Sequence, residues 1–188
     1  MDVPDAIRNL RLCSAFKGHA VDVMDCVDSR NDTQLRVVDD NAACVSRFAG
    51  ADETADCFFA DNHAGRLVHL LAIDHKLLSN IPGGVADCAV LHEDRFCIVE
   101  FKLNAEGNSV EAVNYTYDKA VSQIENTLAI FERKIREAGV DFYTATEVVC
   151  NVVVAEKFPR ASATEQHLSV QFADAHQLDL SFDNRRDF

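Results

Sequence analysis

The stretch from Gly83 to Lys102, GGVADCAVLHEDRFCIVEFK, constrains this chain more than any other. Two apolar runs, Val85 to Leu91 and Phe96 to Phe101, flank the polar tip His92-Glu93-Asp94-Arg95, the pattern of a β-hairpin. A symmetric two- or four-residue turn sets Leu91 opposite Phe96, Cys88 opposite Val99, and Asp87 opposite Glu100. Directly opposed residues share one side of the sheet with Cβ atoms about 4.5–5.5 Å apart. Lys102, two residues past Glu100, points the same way because side chains alternate with period two. The hairpin thus gathers two carboxylates and one ammonium group at one end of two apolar strands.

Carboxylates held that close repel, and partial burial raises the cost of charging both, so either one takes up a proton or a cation sits between them. Oxygen-only ligands favour a hard ion, Mg²⁺ or Mn²⁺, over zinc. A plain salt bridge of Lys102 with Glu100 or Asp87 is the structural alternative. Exposed pairs of that kind sit on polar strands, whereas these residues interrupt the run Ile98, Val99, Phe101.

At 188 residues and 48% hydrophobic, the chain has the size of one domain with a substantial core. The polar break Gly50 to Asp56 divides an N-terminal, β-rich extension (1–56), packed on the core, from the core itself (57–188). No apolar run approaches the roughly 20 residues of a membrane helix. Met1-Asp2-Val3-Pro4 has neither the basic nor the apolar region of a leader, so a soluble, cytoplasmic protein without membrane contact is expected. The seven cysteines form no C-x-x-C pair and no zinc-ligand spacing, as in a reduced, packed set. A net charge of −13 weighs against a free-standing nucleic-acid binder, because phosphate contacts require Lys and Arg. It leaves room for a local basic strip or a protein partner.

Along the chain, residues 4 to 12 read as a short helix, and Ala20–Val27, Gln34–Val38 and Ala43–Phe48 as strands. Phe59 to Leu78 reads as a helix with Ala60, Ala64, Leu67, Leu71 and Leu78 on one stripe, and Asp74 falls on that stripe. His63, His69 and His75 recur at a spacing that spreads them around such a helix rather than onto one face. Asn104 to Asn108 reads as a polar loop. Ser109 with Glu111 opens a long helix whose stripe runs Val113, Tyr117, Ala120, Ile124, Leu128, Phe131, Ile135, ending at Gly139. Gln123 lies at the margin of that stripe, between solvent and the end of the sheet. Thr146 to Ala155 is a buried-type strand. A loop from Phe158 through Glu165, a strand at Leu168–Phe172, a short segment at Leu178–Phe182 and a fraying polar tail at 184–188 complete the expectation. Arg185 and Arg186 in that tail are either phosphate contacts or solvated.

An Asp near the start of one strand followed by Glu-x-Lys closing the next, here Asp87 and then Val99-Glu100-Phe101-Lys102, resembles the signature of the PD-(D/E)XK nuclease superfamily. The likeness extends to nuclease-like domains of bacterial proteins in which a Gly and an Asp precede an I/V-E-F-K strand. Gln123, in Ala120-Val121-Ser122-Gln123-Ile124, matches a Gln that the superfamily often carries on the next helix. The resemblance covers roughly residues 58 to 155. It implies a restriction-endonuclease-like α/β fold, a central mixed β-sheet flanked by helices. It also implies a metal-dependent nuclease, hydrolysing phosphodiester bonds in DNA or RNA. Asp87, Glu100 and the carbonyl of Phe101 would hold Mg²⁺ or Mn²⁺, with Asp74 or Asp61 as a third acid from the preceding helix. Lys102 would position the attacking water and steady charge on phosphate, and Gln123 would orient water or a phosphate oxygen. Members usually have a strand between that helix and the Asp-bearing strand, for which only Ser79 to Gly84 remains. Two other readings stand beside it: a catalytically silent nuclease-fold module acting through protein partners, and an immunity-type protein whose acidic surface neutralises a basic toxin.

Overall fold

The computed structural model describes residues 3–53, 56–105, 107 and 109–188. The chain is a mixed α/β protein in three layers: helices, a six-stranded mixed sheet, and a four-stranded mixed sheet. The middle layer is built around the hairpin. β6 (Cys88–His92) and β7 (Arg95–Lys102) pair antiparallel with Leu91 opposite Phe96 and Cys88 opposite Val99, the register expected of a symmetric turn.

α3 (Val110–Glu137) follows the hairpin and returns the chain to β8 (Glu147–Val154), which lies parallel to β7. The helix starts where Ser109 Oγ accepts the Ala112 amide at 3.2 Å. It carries Glu111 in its first turn and Lys134 and Arg136 in its last, which suits the helix dipole. Gly139, at φ +86°, takes the left-handed conformation that ends it. Its whole expected stripe from Val113 to Ile135 is buried against the sheet.

The sheet is completed by β1 (Val27–Arg30) and β5 (Val68–Ala72) on one side and β9 (Asp179–Ser181) on the other, in the order β1-β5-β6-β7-β8-β9. Its two faces are both covered. Ala89, Leu91, Phe96, Ile98, Val148, Cys150 and Val152 pack on α3, on α5 (Ser162–His176) and on the short helices α1 (Asp5–Asn9) and α2 (Leu12–Ala15). Val68, Leu70, Cys88, Val90, Cys97, Val99, Phe101, Val149 and Val153 face the smaller sheet. That sheet, in the order β10-β4-β2-β3, comprises β2 (Gln34–Asp40), β3 (Val45–Phe48), β4 (Phe58–Asp61) and β10 (Arg185–Asp187). Leu35, Val37, Phe48, Phe58 and Ala60 are its inward set. A further helical turn, α4 (Phe142–Ala145), is capped by Asp141 ahead of β8.

The expected helix over Phe59–Leu78 is absent, replaced by β4 and β5. Gly65, at φ +60°, and the side chain of Asn62 make a tight turn between them: Asn62 Nδ2 donates to Asp32 O at 3.0 Å and Arg66 O at 2.7 Å, and its Oδ1 accepts from Arg66 N at 3.0 Å. Every residue of β5 is buried because both sheet faces are covered, and such a strand has no alternation to distinguish it from a helix. β5 thus lies ahead of Gly83 as a strand, and His69 sits on it with its Nδ1 2.7 Å from Ser29 Oγ.

Three further expectations change. Residues 23–26 form a 3-10 turn, because the Asp22 carboxylate accepts the Met24 amide at 2.8 Å, and the strand starts only at Val27. Leu168–Phe172 is helical within α5; Leu168 and Phe172 are one turn apart and face the core together, while Val170 between them is exposed. The tail is a strand, not a frayed end. β10 lies parallel to β4, Arg186 Nε donates to the fully buried Asn151 at 2.8 Å, and Arg185 pairs with Asp61 at 3.2 Å.

The N-terminal part supplies all three layers: α1 and α2 to the helices, β1 to the larger sheet, β2 and β3 to the smaller. Thr54 and Ala55 in the expected break, Glu106 and Asn108 in the expected loop, and Met1 and Asp2 lie outside the described residues. No helix among the described residues is long and apolar enough to cross a membrane.

Candidate active site

β7 ends at the site with alternating directions. Phe101 joins the inter-sheet core, while Glu100, following Phe96 and Ile98, faces the helical layer. Glu100 is 1% exposed, a rare position for an acid. Lys102 Nζ donates to Glu100 Oε1 and, at 2.6 Å, to Gln123 Oε1 on α3. Gln123 Nε2 donates in turn to Val85 O at 3.0 Å, so the amide's orientation is defined by both neighbours. Glu100 Oε2, by contrast, has no hydrogen-bond partner.

The segment leading into β6 is fitted to this cluster. Gly84, at φ +79°, passes so close to α3 that a Cβ there would lie 3.0 Å from Gln123 Nε2. Asn126 Nδ2 donates to Gly84 O at 2.6 Å, and Ala86 N donates to Thr127 Oγ1 at 2.7 Å. Asp87 follows. Its carbonyl accepts from Ile73 N at 2.9 Å and Asp74 N at 3.2 Å, and its Oδ2 accepts from Phe101 N at 2.6 Å.

Burial pushes Asp87 up from 3.8 to about 7, against the lowering effect of the Phe101 amide. Burial and then the nearby Asp87 carboxylate hold Glu100 well above the usual range. Asp39 on β2 is raised by burial and by the charges of Asp40 and Asp74. Asp39, Asp74 and Asp87 line one cavity of about 140 Å³ together with Asn41, Cys44, Val45, Ser46 and His75.

The structure therefore brings together Asp87, Glu100, Lys102 and Gln123, as expected from sequence. Gln123 is 8% exposed and sits on the inner side of its helix margin. Asp74 reaches the same cavity, but from the turn after β5 and not from a helical stripe. Asp61 does not: it lies on β4, where it accepts from Gln34 Nε2 at 3.1 Å and pairs with Arg185. Arg185 and Arg186 are likewise committed to protein partners, Asp61 and Asn151 with Asp179. Asp39 was not anticipated, although its signal exists. In β2 the inward positions are Leu35 and Val37, and Asp39 is the next in that alternation.

No three His, Cys, Asp or Glu side chains among the described residues converge on a single point at metal-ligand distance. Asp39, Asp74 and Asp87 line the cavity, and Glu100 is not part of its wall. Comparison with protein-family models, with curated proteins and with solved structures finds no match to this chain.

Proposed function

We propose that this chain is a metal-dependent phosphodiesterase of the restriction-endonuclease-like kind, hydrolysing DNA or RNA. One observation carries the reading: Glu100 Oε2, buried and unpaired, stands beside Asp87 in a cluster whose other end is Lys102 bonded to Gln123. A carboxylate oxygen sequestered without a donor calls for a proton or a cation. The all-oxygen donor set fits Mg²⁺ or Mn²⁺. Support also comes from the order of elements: an antiparallel β5-β6-β7 meander, then α3, then β8 parallel to β7. That is the order the resemblance in Asp87, Glu100 and Lys102 implies from the hairpin onward, while the helix it implies ahead of these strands is absent.

Asp87, Glu100 and the Phe101 carbonyl would hold the ion, with Asp74 at the cavity wall. Bound there, it would supply Lewis-acid stabilisation of a phosphoryl oxygen and a more acidic water. Lys102 presents a fixed positive charge where negative charge develops on phosphate, and Gln123 holds the ammonium in that position. The raised affinity of Asp87 and Glu100 for protons lets this pair hold a proton near neutrality.

The test is cleavage of single-stranded and double-stranded DNA and of RNA with Mg²⁺ or Mn²⁺, comparing wild type with Glu100→Gln and Lys102→Ala. Cleavage abolished by both variants supports the proposal. Cleavage indifferent to both places the chemistry elsewhere. A second reading, a silent nuclease-fold module acting through a protein partner, is favoured by the net charge of −13 and by Lys102 being engaged by Glu100. No cleavage of any substrate, with no cation-dependent stabilisation, would establish that reading over the first.

A further inference from the structure

The tip of the β6–β7 hairpin, at the opposite end from Asp87 and Glu100, holds a polar group that the proposed reaction does not use. His92 follows Cys88 and Val90 along β6, on the side that faces the smaller sheet. Arg66 lies two residues ahead of Val68, which opens β5 in the same inter-sheet core. At the tip, an imidazole and a guanidinium thus replace the apolar contact. His92 is 3% exposed, with its Nδ1 2.7 Å from Asp94 Oδ1 and its Nε2 3.0 Å from a guanidinium nitrogen of Arg66.

These two contacts define the protonation of the ring. A guanidinium only donates, so His92 Nε2 must accept; an ionised carboxylate only accepts, so Nδ1 must carry the proton. The Asp94 carboxyl is held below the usual carboxylate range, first of all by this hydrogen bond from His92. His92 is therefore a neutral bridge between a cation and an anion, with both nitrogens in use. A second proton has only Nε2 to go to, where it would point at a group with no lone pair to receive it. Charging the ring and keeping Arg66 in place are mutually exclusive.

The other charges around the ring do not relieve this conflict. Across the ladder, Arg95 is engaged by Glu147 at 2.8 Å and by the Asp187 carbonyl, and Glu93 stands between His92 and Asp94 in the tip. On β5, His69 is 2.7 Å from Ser29 Oγ, and burial first and His92 second lower its affinity for a proton. On β10, the Asp187 carboxylate is 3.7 Å from His63. The backbone of the β4–β5 turn does not depend on the ring, because Asn62 holds the Arg66 amide at 3.0 Å and the Arg66 carbonyl at 2.7 Å. What His92 controls is the Arg66 side chain.

We propose that His92 is a pH-sensitive clasp. Near neutral pH the uncharged ring ties the Arg66 guanidinium to the hairpin tip. Imidazole side chains gain charge as pH falls between about 8 and 5, and a charged His92 keeps Asp94 and releases Arg66. A chain with a net charge of −13 thereby frees a cation in acid that is tied down at neutral pH. The clasp is independent of any reaction at the far end of the hairpin.

The experiment is NMR of the full chain labelled with ¹³C and ¹⁵N, following the His92 ring nitrogens and the Arg66 δ-methylene signal from pH 8 to pH 5. Low salt is used because the Asp94 side chain is 79% exposed and its charge is readily screened. At pH 8 the ring is expected as the Nδ1–H tautomer. On acidification Nε2 gains a proton, and the Arg66 signal moves in step to that of a free arginine side chain. Arg66→Met removes the opposing cation and should move the His92 titration up by about one pH unit, whereas Asp94→Asn should move it down by a similar amount. Arg66→Gln makes the same comparison if the methionine variant does not fold. In His92→Gln the Arg66 signal should no longer respond to pH. An Nε2–H tautomer at pH 8, an Arg66 signal that does not follow the ring, or a titration that neither Arg66→Met nor Asp94→Asn moves would each overturn the clasp.

Discussion

Lys102 Nζ, at the end of β7, donates to Gln123 Oε1, midway along α3, at 2.6 Å. This bond crosses from sheet to helix and fixes the ammonium beside a buried carboxylate. Gln123 also closes the segment before β6 through Val85 O. Gln123→Ala therefore leaves a carbonyl and an ammonium without their partner. We expect a loss of about 1–3 kcal/mol, read from urea denaturation. Gln123→Glu keeps the acceptor for Lys102 but sets a carboxylate against the Val85 carbonyl, and should also destabilise. Stability equal to wild type in both would show that the two bonds contribute nothing net.

If the proposed nuclease function holds, Lys102→Ala separates catalysis from cation binding. The ammonium competes with any cation for Glu100, so its removal should leave Mn²⁺ stabilisation equal or larger. Cleavage should fall by about a hundredfold or more, the scale seen when one charge-stabilising donor is removed. Single-turnover assays together with Mn²⁺-dependent midpoints test both halves. Cation binding lost along with cleavage would instead make Lys102 a structural keystone.

The pH dependence follows from Asp87. Its folded value of about 7 lies above its ordinary 3.8, so between these limits the folded chain retains a proton that the unfolded chain releases. Stability is unaffected below roughly pH 4, falls as pH rises through the window, and has lost this contribution fully above about 7. Glu100, raised in the same direction, adds to the fall. Urea midpoints should decline from about pH 5 to about pH 8. Asp87→Asn, which keeps an acceptor for the Phe101 amide, should flatten the decline, and so should saturating Mg²⁺. A midpoint that rises over that range would contradict the direction assigned to both acids.

The C-terminal strand is predicted to be structural. Arg186 donates to buried Asn151 at 2.8 Å and to Asp179 at 2.7 Å, and Phe188 N donates to Asp61 O at 2.8 Å. Arg186→Ala should cost about 1–2 kcal/mol, because a buried amide oxygen loses a charged donor. Denaturation at low and high salt checks this. If Arg186 served phosphate binding alone, stability would not change.

A second polar cluster makes a similar point away from the site. Tyr117 OH donates to Glu165 Oε1 at 2.6 Å, and Arg160 holds the same carboxylate at 2.7 and 2.9 Å. Tyr117→Phe should destabilise by about 1–2 kcal/mol and leave cation binding unchanged, as measured by denaturation and Mn²⁺ titration.

What the sequence determined by itself was whatever short-range patterning controls. The hairpin register, the limits of α3 from its Ser109 cap to Gly139, and the strand at β8 follow from alternation, helical spacing and local caps. So does the grouping of Asp87, Glu100 and Lys102, since opposed strand positions must meet. Tertiary structure alone decided the rest. β5 is buried on both faces, which removes the alternation that marks a strand, and the spacing of Ala60, Ala64, Leu67 and Leu71 then imitates a helix. β10 exists only because β4 lies beside it, and nothing local in Arg185–Asp187 encodes that pairing. Asp39 reaches the cavity because the smaller sheet packs on the larger, a contact between segments far apart in the chain. Packing between distant strands leaves no periodic trace in either one, so the second half of the candidate site became visible only in three dimensions.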